Sequence, residues 1–276
     1  MIFYKYEGLG NDFILLEDFD DQAPKEAAFA RKWCDRRLGI GADGILYVGK
    51  AIGADASMRI LNSDGSEAEM CGNGIRCVAK HLFDFRFVKK RRMTIDTLAG
   101  KKSINITVKE GKVTEVAVSM GPPTLECPKI PMRCKGQFIN QVLEAGGKRV
   151  RGTAISIGNP HFVIFQRVKD EDMQWLGPSL EEHSLFPKRT NVEFATIEAD
   201  RIEVKVFERG AGWTMACGTG ACAAAVAAVV NNLLPADRFV EVRLPGGSLW
   251  IKVSEDLSSV MMRGPAVRVF SGNLEQ

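Results

Sequence analysis

Histidine is scarce in this sequence, and its cysteines are never paired closely. Of 276 residues three are histidine (His81, His161 and His183), and among seven cysteines there is no Cys-x-x-Cys pair. Only Cys77 and His81 fall at a close Cys/His spacing, so the ligand sets of a structural zinc site are missing and no metal is expected. An odd number of cysteines in a long chain argues against a disulfide framework. Cys127 and Cys134, in a proline-containing loop, read as bystanders. Long apolar runs are absent too: the longest, Ala221 to Val230, is too short to span a bilayer. The opening Met1-Ile2-Phe3-Tyr4-Lys5-Tyr6-Glu7 lacks the basic, apolar, small-residue order of a secretory leader. A soluble cytoplasmic protein without a membrane partner is therefore expected. A net charge of +3 carries no footprint for nucleic acid, and Lys89-Lys90-Arg91-Arg92 reads as a solvated connection rather than a binding patch.

What the chain does have is ordinary globular composition, 45% hydrophobic and 26% charged, and a pattern written twice. Met58 to Gly74 (MRILNSDGSEAEMCGNG) aligns without a gap on Val204 to Gly220 (VKVFERGAGWTMACGTG). Each copy reads as a short strand, a polar corner (Asn62 or Glu208), a loop, a Cys-Gly-x-Gly segment and a helix. Those helices are expected over Ile75 to Phe83 and Ala221 to Leu234, the second apolar nearly all round and so enclosed. Upstream, Gly8-Leu9-Gly10-Asn11-Asp12-Phe13 resembles Ile157-Gly158-Asn159-Pro160-His161-Phe162 in the same order. Self-similarity at this period implies two related units rather than a solenoid. Elsewhere strands dominate. Residues 103–108 and 113–118 alternate around Glu110-Gly111-Lys112 as a hairpin, and residues 240–244, 248–253 and 266–270 look similar. The fold class is α+β, with units over residues 1–120 and 121–264 and a closing strand at 265–276 that completes the first.

A cysteine at a helix N-terminus sits where unpaired N–H groups and the helix dipole stabilise negative charge. The thiol there is expected to be lowered toward thiolate, and the same N–H groups can seat a carboxylate. Either Cys71 or Cys217 alone would read as a core thiol; at equivalent helix starts they read as an acid/base pair. A substrate carboxylate held between two such sites would have a sulfur on each face of its α-carbon, which is the arrangement for stereoinversion by two bases. The helix N–H groups would also stabilise the enolate-like charge that develops. Cys77 and Cys222, further along their helices, read as core. His161 either tunes a thiol or braces the Gly-Asn turn.

These residues carry a resemblance. Gly8 to Phe13, Met70-Cys71-Gly72-Asn73-Gly74, Gly158 to Phe162, Asn191-Val192-Glu193-Phe194, Glu208-Arg209-Gly210 and Ala216 to Gly220 together resemble the diaminopimelate epimerase family from end to end. The resemblance implies a cofactor-independent epimerase acting on LL- and meso-2,6-diaminopimelate, in lysine and peptidoglycan precursor synthesis. It implies two pseudo-symmetric halves, each a barrel-like set of strands round a central helix with the active site in the cleft between them, and a homodimer. By matching position, Cys71 and Cys217 are the acid/base pair. Gly72, Asn73, Gly218 and Thr219 would hold the reacting carboxylate, and Asn11, Asn62, Asn159, Asn191, Glu208 and Arg209 the rest of the substrate. One departure is Gly41-Ala42-Asp43-Gly44: several relatives carry Gln after that Asp, so Gly44 contributes no contact. Two other readings stay open at this point: a proline- or hydroxyproline-type racemase of the same fold, and a Cys-nucleophile transferase.

Overall fold

A computed structural model of the chain describes residues 1–274. It divides into two compact units, Met1–Ser119 with the segment beginning at Arg263, and Met120–Met262. In the first, β1 (Ile2–Gly8) and β2 (Asn11–Glu17) form an antiparallel hairpin. Helix α1 (Ala27–Cys34) crosses to β3 (Gly44–Gly49), which lies parallel to β2 and antiparallel to β4 (Ala56–Asn62). The short β5 (Glu67–Ala68) leads into α2 (Gly72–Asp84), and β6 (Arg92–Asp96) returns parallel to β4. β7 (Lys102–Lys109) and β8 (Lys112–Gly121) follow as antiparallel neighbours, the hairpin expected around Gly111.

The second unit opens with the hairpin β9 (Gln141–Ala145) and β10 (Lys148–Ser156), then repeats that order. β11 (Pro160–Ile164) is antiparallel to β10; α3 (Asp170–Glu181) crosses to β12 (Asn191–Glu198), parallel to β11 and antiparallel to β13 (Arg201–Glu208). After β14 (Gly212–Thr214), α4 (Gly218–Val230) crosses to β15 (Phe239–Leu244), parallel to β13, and β16 (Gly247–Val253) pairs beside it. Last come β17 (Val260–Gly264), where the second unit ends, and β18 (Val267–Asn273), which belongs to the first unit and pairs antiparallel with β1 there. Residues 275 and 276 of the expected closing strand lie outside the described residues.

The pairings of β1 to β7 thus recur in β10 to β16, and so does the packing. Helix α2 touches β1, β2, β3, β4, β6 and β7, while α4 touches β10, β11, β12, β13, β15 and β16, the equivalent six strands. A helix so enclosed must be small and apolar on every face. In α4 that condition is met largely by alanine: residues 221–228, six of them alanine, are all buried, and the small side chains let the strands close in at native density. The more polar α2 meets it by pairing what it buries. His81 is fully buried and bonds the Tyr6 hydroxyl at 3.1 Å and Glu17 at 2.9 Å, so it is satisfied by β1 and β2 rather than by Cys77.

Two expectations are corrected. Both helices start three residues earlier than their apolar pattern indicates, at Gly72 and Gly218; glycine is a poor helix former, yet here the glycines occupy the first turn. Cys127 and Cys134 are not bystanders but a disulfide in the second unit. A 3-10 turn at Cys127–Lys129, with the Ile130 and Met132 amides both donating to the Cys127 carbonyl, curls the loop back and brings the two cysteines together. Spacing alone does not show such proximity.

Enclosure of α4 by six strands leaves no room for growth. Ala224→Leu is expected to lower stability by about 1–3 kcal/mol through overpacking, seen as a reduced urea midpoint with unchanged slope. An unchanged midpoint would mean the helix is not tightly enclosed.

Candidate functional site

Cys71 is the N-cap of α2. Its backbone is extended, and its sulfur accepts the Gly74 amide at 3.4 Å, so a thiol fills the capping role usually held by a hydroxyl or carboxylate. Around it stand two amides. Asn11, at the start of β2, places Oδ1 3.7 Å from the Cys71 sulfur and 3.2 Å from Nδ2 of Asn73. Asn11 Nδ2 donates to Asp43 at 2.7 Å, and Arg76 donates to Asn73 Oδ1 at 3.0 Å. Asp12 and Asp43 are both bound by Arg36, and Lys5 pairs with Asp12 at 2.6 Å. Burial by itself would raise the Asp12 carboxyl, but the Arg36 and Lys5 partners outweigh it and hold it at about 2. Asn62, at the end of β4, bonds Ser66 Oγ at 3.0 Å.

Cys217 caps α4 in the same way, accepting the Gly220 amide at 3.3 Å with the Thr219 hydroxyl 3.4 Å away. Thr219 is in turn bonded by Asn159 Nδ2 at 3.3 Å, and Asn159 Oδ1 lies 2.9 Å from His161 Nε2. His161 is completely buried and its other nitrogen meets Glu193 at 2.7 Å. Asn191 spans Pro160 and Arg209: its Nδ2 donates to the Pro160 carbonyl at 2.7 Å and its Oδ1 accepts the Arg209 amide at 3.0 Å. Glu208 accepts from the Thr214 hydroxyl at 2.6 Å, and the Arg209 guanidinium reaches the Lys188 carbonyl at 3.2 Å.

The strand register shows where the copies differ. In β2–β3, Phe13 faces Gly44 and Leu15 faces Leu46; in β11–β12, His161 faces Asn191 and Val163 faces Glu193. Glu193 therefore occupies the place of Leu46, directly under the helix start. A Cβ added at Gly74 would lie 2.9 Å from the Leu46 side chain, and one at Gly220 would lie 2.8 Å from Glu193 Oε1. Gly44 takes the place of Asn191; a Cβ there would come within 2.7 Å of the Leu61 carbonyl, a steric reason why this chain carries no side chain at that point.

This difference is electrostatic. Burial, then the Glu208 and Glu193 carboxylates, push the Cys217 thiol well above its usual range, against smaller opposing help from Thr219 and Gly220. The expectation that the helix start lowers this thiol is thus not met: desolvation and two acids outweigh the Thr219 and Gly220 hydrogen bonds. Glu208 is itself raised, mainly by burial, with its Thr214 bond working the other way.

Residues 3–126 and 153–269 match the diaminopimelate epimerase family. The chain belongs to this family. The diaminopimelate epimerase of Pelotomaculum thermopropionicum is 50% identical over 99% of this chain and 98% of its own length. That of Heliobacterium modesticaldum is 47% identical over 99% of each. Solved structures share the fold at much lower identity. A hydroxyproline epimerase from Agrobacterium vitis, bound to trans-4-hydroxy-L-proline, has a TM-score of 0.70 at 13% identity, covering 99% of this chain and 90% of its own. A PhzF-family phenazine biosynthesis protein from Bacillus anthracis has a TM-score of 0.71 at 16% identity, covering 100% and 99%. At such identities the likeness is one of fold.

For this member of the diaminopimelate epimerase family, the first unit brings Asn11, Cys71, Gly72 and Asn73 together, and the second groups Asn159, Cys217, Gly218 and Thr219, with Glu208 acting on Cys217. Asn191 and Arg209 are joined through backbone beside them. Residues that sequence reasoning passed over are Asp43, Arg76 and Glu193. Each is a charged side chain bonded to a predicted site residue, and Glu193 lay within the quoted Asn191–Phe194 motif without a role.

The direction of the Glu208 shift has a consequence for stability. A carboxyl raised on folding adds stability that is fully present below its unfolded value of 4.5 and is lost as pH rises through its folded value. Glu208→Gln, which cannot ionise, is therefore expected to gain on the native protein as pH rises from acid to neutral. Urea midpoints of both proteins across that range are the measurement; a variant midpoint that falls relative to the native one toward neutral pH would contradict the sign.

Proposed function

We propose that this chain interconverts LL-2,6-diaminopimelate and meso-2,6-diaminopimelate without a cofactor, using Cys71 and Cys217 as the acid/base groups on opposite faces of one α-carbon. The observation that carries this reading is that both thiols cap equivalent helices with the same sulfur–amide bond, at 3.4 Å for Gly74 and 3.3 Å for Gly220. Stereoinversion requires a base on one face and an acid on the other, and each unit supplies one such group.

The first-turn N–H groups of Gly72 and Asn73, and of Gly218 and Thr219, have no acceptor within their own helices. They supply donors for the substrate carboxylate, where charge accumulates as the α-proton leaves. The Cys217 proton is held by burial and by Glu208 and Glu193, which makes Cys217 a proton donor in the resting enzyme. The same thiol, having delivered its proton, is the base of the return reaction, and the two sulfurs titrate as a coupled pair. Distal recognition falls to Arg209, a fork for a carboxylate, with Glu208 for an ammonium and the amides of Asn11, Asn62 and Asn159 for orientation. Asn191 serves this by bracing the Arg209 backbone. A cytoplasmic homodimer belongs to the same reading. Val267, Val269 and Phe270 on β18 leave apolar surface exposed, which a second copy would cover.

Incubation of reduced enzyme with either isomer in deuterated water tests the reading. Deuterium is expected at one α-carbon, with inversion. Cys71→Ser and Cys217→Ser are each expected to lose most turnover, since a hydroxyl is a far weaker base. Absence of exchange by folded, reduced protein would overturn the assignment, as would full activity with both sulfurs blocked.

A further inference from the structure

Leu46 and Asn62 stand in the first unit where the second has Glu193 and Glu208. Beside the Cys71 sulfur stand two amides, whose orientation decides which edge it meets. An amide is ambiguous by shape, since its oxygen and nitrogen edges are alike, and its partners must choose. Here both ends of the amide pair have unambiguous partners. The Asp43 carboxylate can only accept. Its Oδ2 already takes the Asp12 amide at 3.0 Å, and its Oδ1 takes Arg36 at 2.7 Å. So Asn11 must show it Nδ2, at 2.7 Å. The Arg76 guanidinium can only donate. It is completely buried and anchored on the Gly72 carbonyl at 3.1 Å and the Pro265 carbonyl at 3.0 Å. So Asn73 must show it Oδ1, at 3.0 Å. The remaining edges then meet head to tail, Asn73 Nδ2 donating to Asn11 Oδ1 at 3.2 Å.

We propose that Asp43 and Arg76 are positioning residues that lock the Asn11 and Asn73 amides in one orientation, so that the Asn11 carbonyl oxygen, never its NH2, faces the Cys71 sulfur. An acceptor at 3.7 Å takes a hydrogen bond from S–H and opposes a thiolate. The lock therefore strengthens the hold of Cys71 on its proton. Its use follows from the two-base reaction, on which this inference rests for its functional meaning. Each thiol must take the proton in one direction and release it in the other, so their proton affinities must be comparable. Carboxylates raise one of them, and a turned amide raises the other.

Among the described residues, the charged and titratable groups joined to this cluster or close to Cys71 in the chain include Lys5 and Glu7 on β1, Asp12 on β2, Arg36, Asp43, Glu69, and Arg76 and Cys77 on α2. One variant separates orientation from charge: the double substitution Asp43→Ala with Arg76→Gln. Charge alone moves Cys71 in opposite directions, since loss of an anion lowers a thiol and loss of a cation raises it. Either substitution alone leaves one end of the amide pair held. In the double variant the charge effects oppose each other, and the released Asn11 can turn its NH2 toward the sulfur and lower it. The readout is the pH midpoint of Cys71 alkylation by iodoacetamide in reduced, substrate-free enzyme, resolved from the other cysteines by peptide mass spectrometry. A fall of about half a pH unit or more in the double variant is expected, with the Cys217 midpoint unmoved. A rise, or no shift, overturns the proposal. Should the double variant not fold, the side-chain amide signals of Asn11 in 15N-labelled Asp43→Ala decide. Their collapse to solvent-exchanging values supports the lock, and their persistence at native positions overturns it. Neither measurement depends on turnover, so failure of the catalytic reading and failure of the lock are distinguishable.

Discussion

A helix that begins inside a wrap of strands has amide N–H groups at its first turn with no partner in the helix itself and little water to turn to. That constraint governs both units of this protein. The glycines of the first turn keep side chains out of the way, the cysteine ahead of them takes one N–H on its sulfur, and the others are left facing outward from the helix end. The enclosure that creates the problem also sets its chemistry, because electrostatic interactions strengthen as water is excluded. The same burial that makes a helix end a good seat for a carboxylate makes a thiolate beside it costly unless its partners are chosen.

Those partners differ between the units, and the differences are local. Under α2 lies Leu46 and beyond it a pair of amides held by Asp43 and Arg76; under α4 lies Glu193, bonded to a buried histidine. Glu193 has one carboxylate oxygen on His161, while its Oε2 is buried without a hydrogen-bond partner among the described residues, and it is one of the groups that raise the Cys217 thiol. His161 bonds both Glu193 and Asn159 and is thereby part of the scaffold of the second helix start.

Much of this was legible before the structure. The duplication shows because the turns that build it demand glycine and asparagine at fixed places, and because Cys71 and Cys217 keep the same spacing from the strands before them. The enclosed α4 shows because thirteen residues with no polar face have nowhere else to go. The equivalence of Leu46 and Glu193 does not show. It depends on the register of parallel pairs whose two strands are joined through α1 in one unit and α3 in the other, and that register is set by pairing in space. The Cys127–Cys134 bond depends likewise on a loop closing in space. The sign of the Cys217 shift was missed for a different reason: a helix start is visible in sequence, but the depth of its burial and the acids that reach it from β12 and β13 are not.

Placing both thiols on one polypeptide has a consequence for how the site can change. A dimer with one cysteine per identical subunit would be forced to alter both sides at once, since any substitution appears twice. Here each side has its own codons, and Leu46 and Glu193 show how far apart they have drifted. The equilibrium between the stereoisomers belongs to the substrate and cannot be moved by such drift. What can move is the protonation pattern in which the empty enzyme waits, and with it which of the two isomers finds a site ready to react on first encounter.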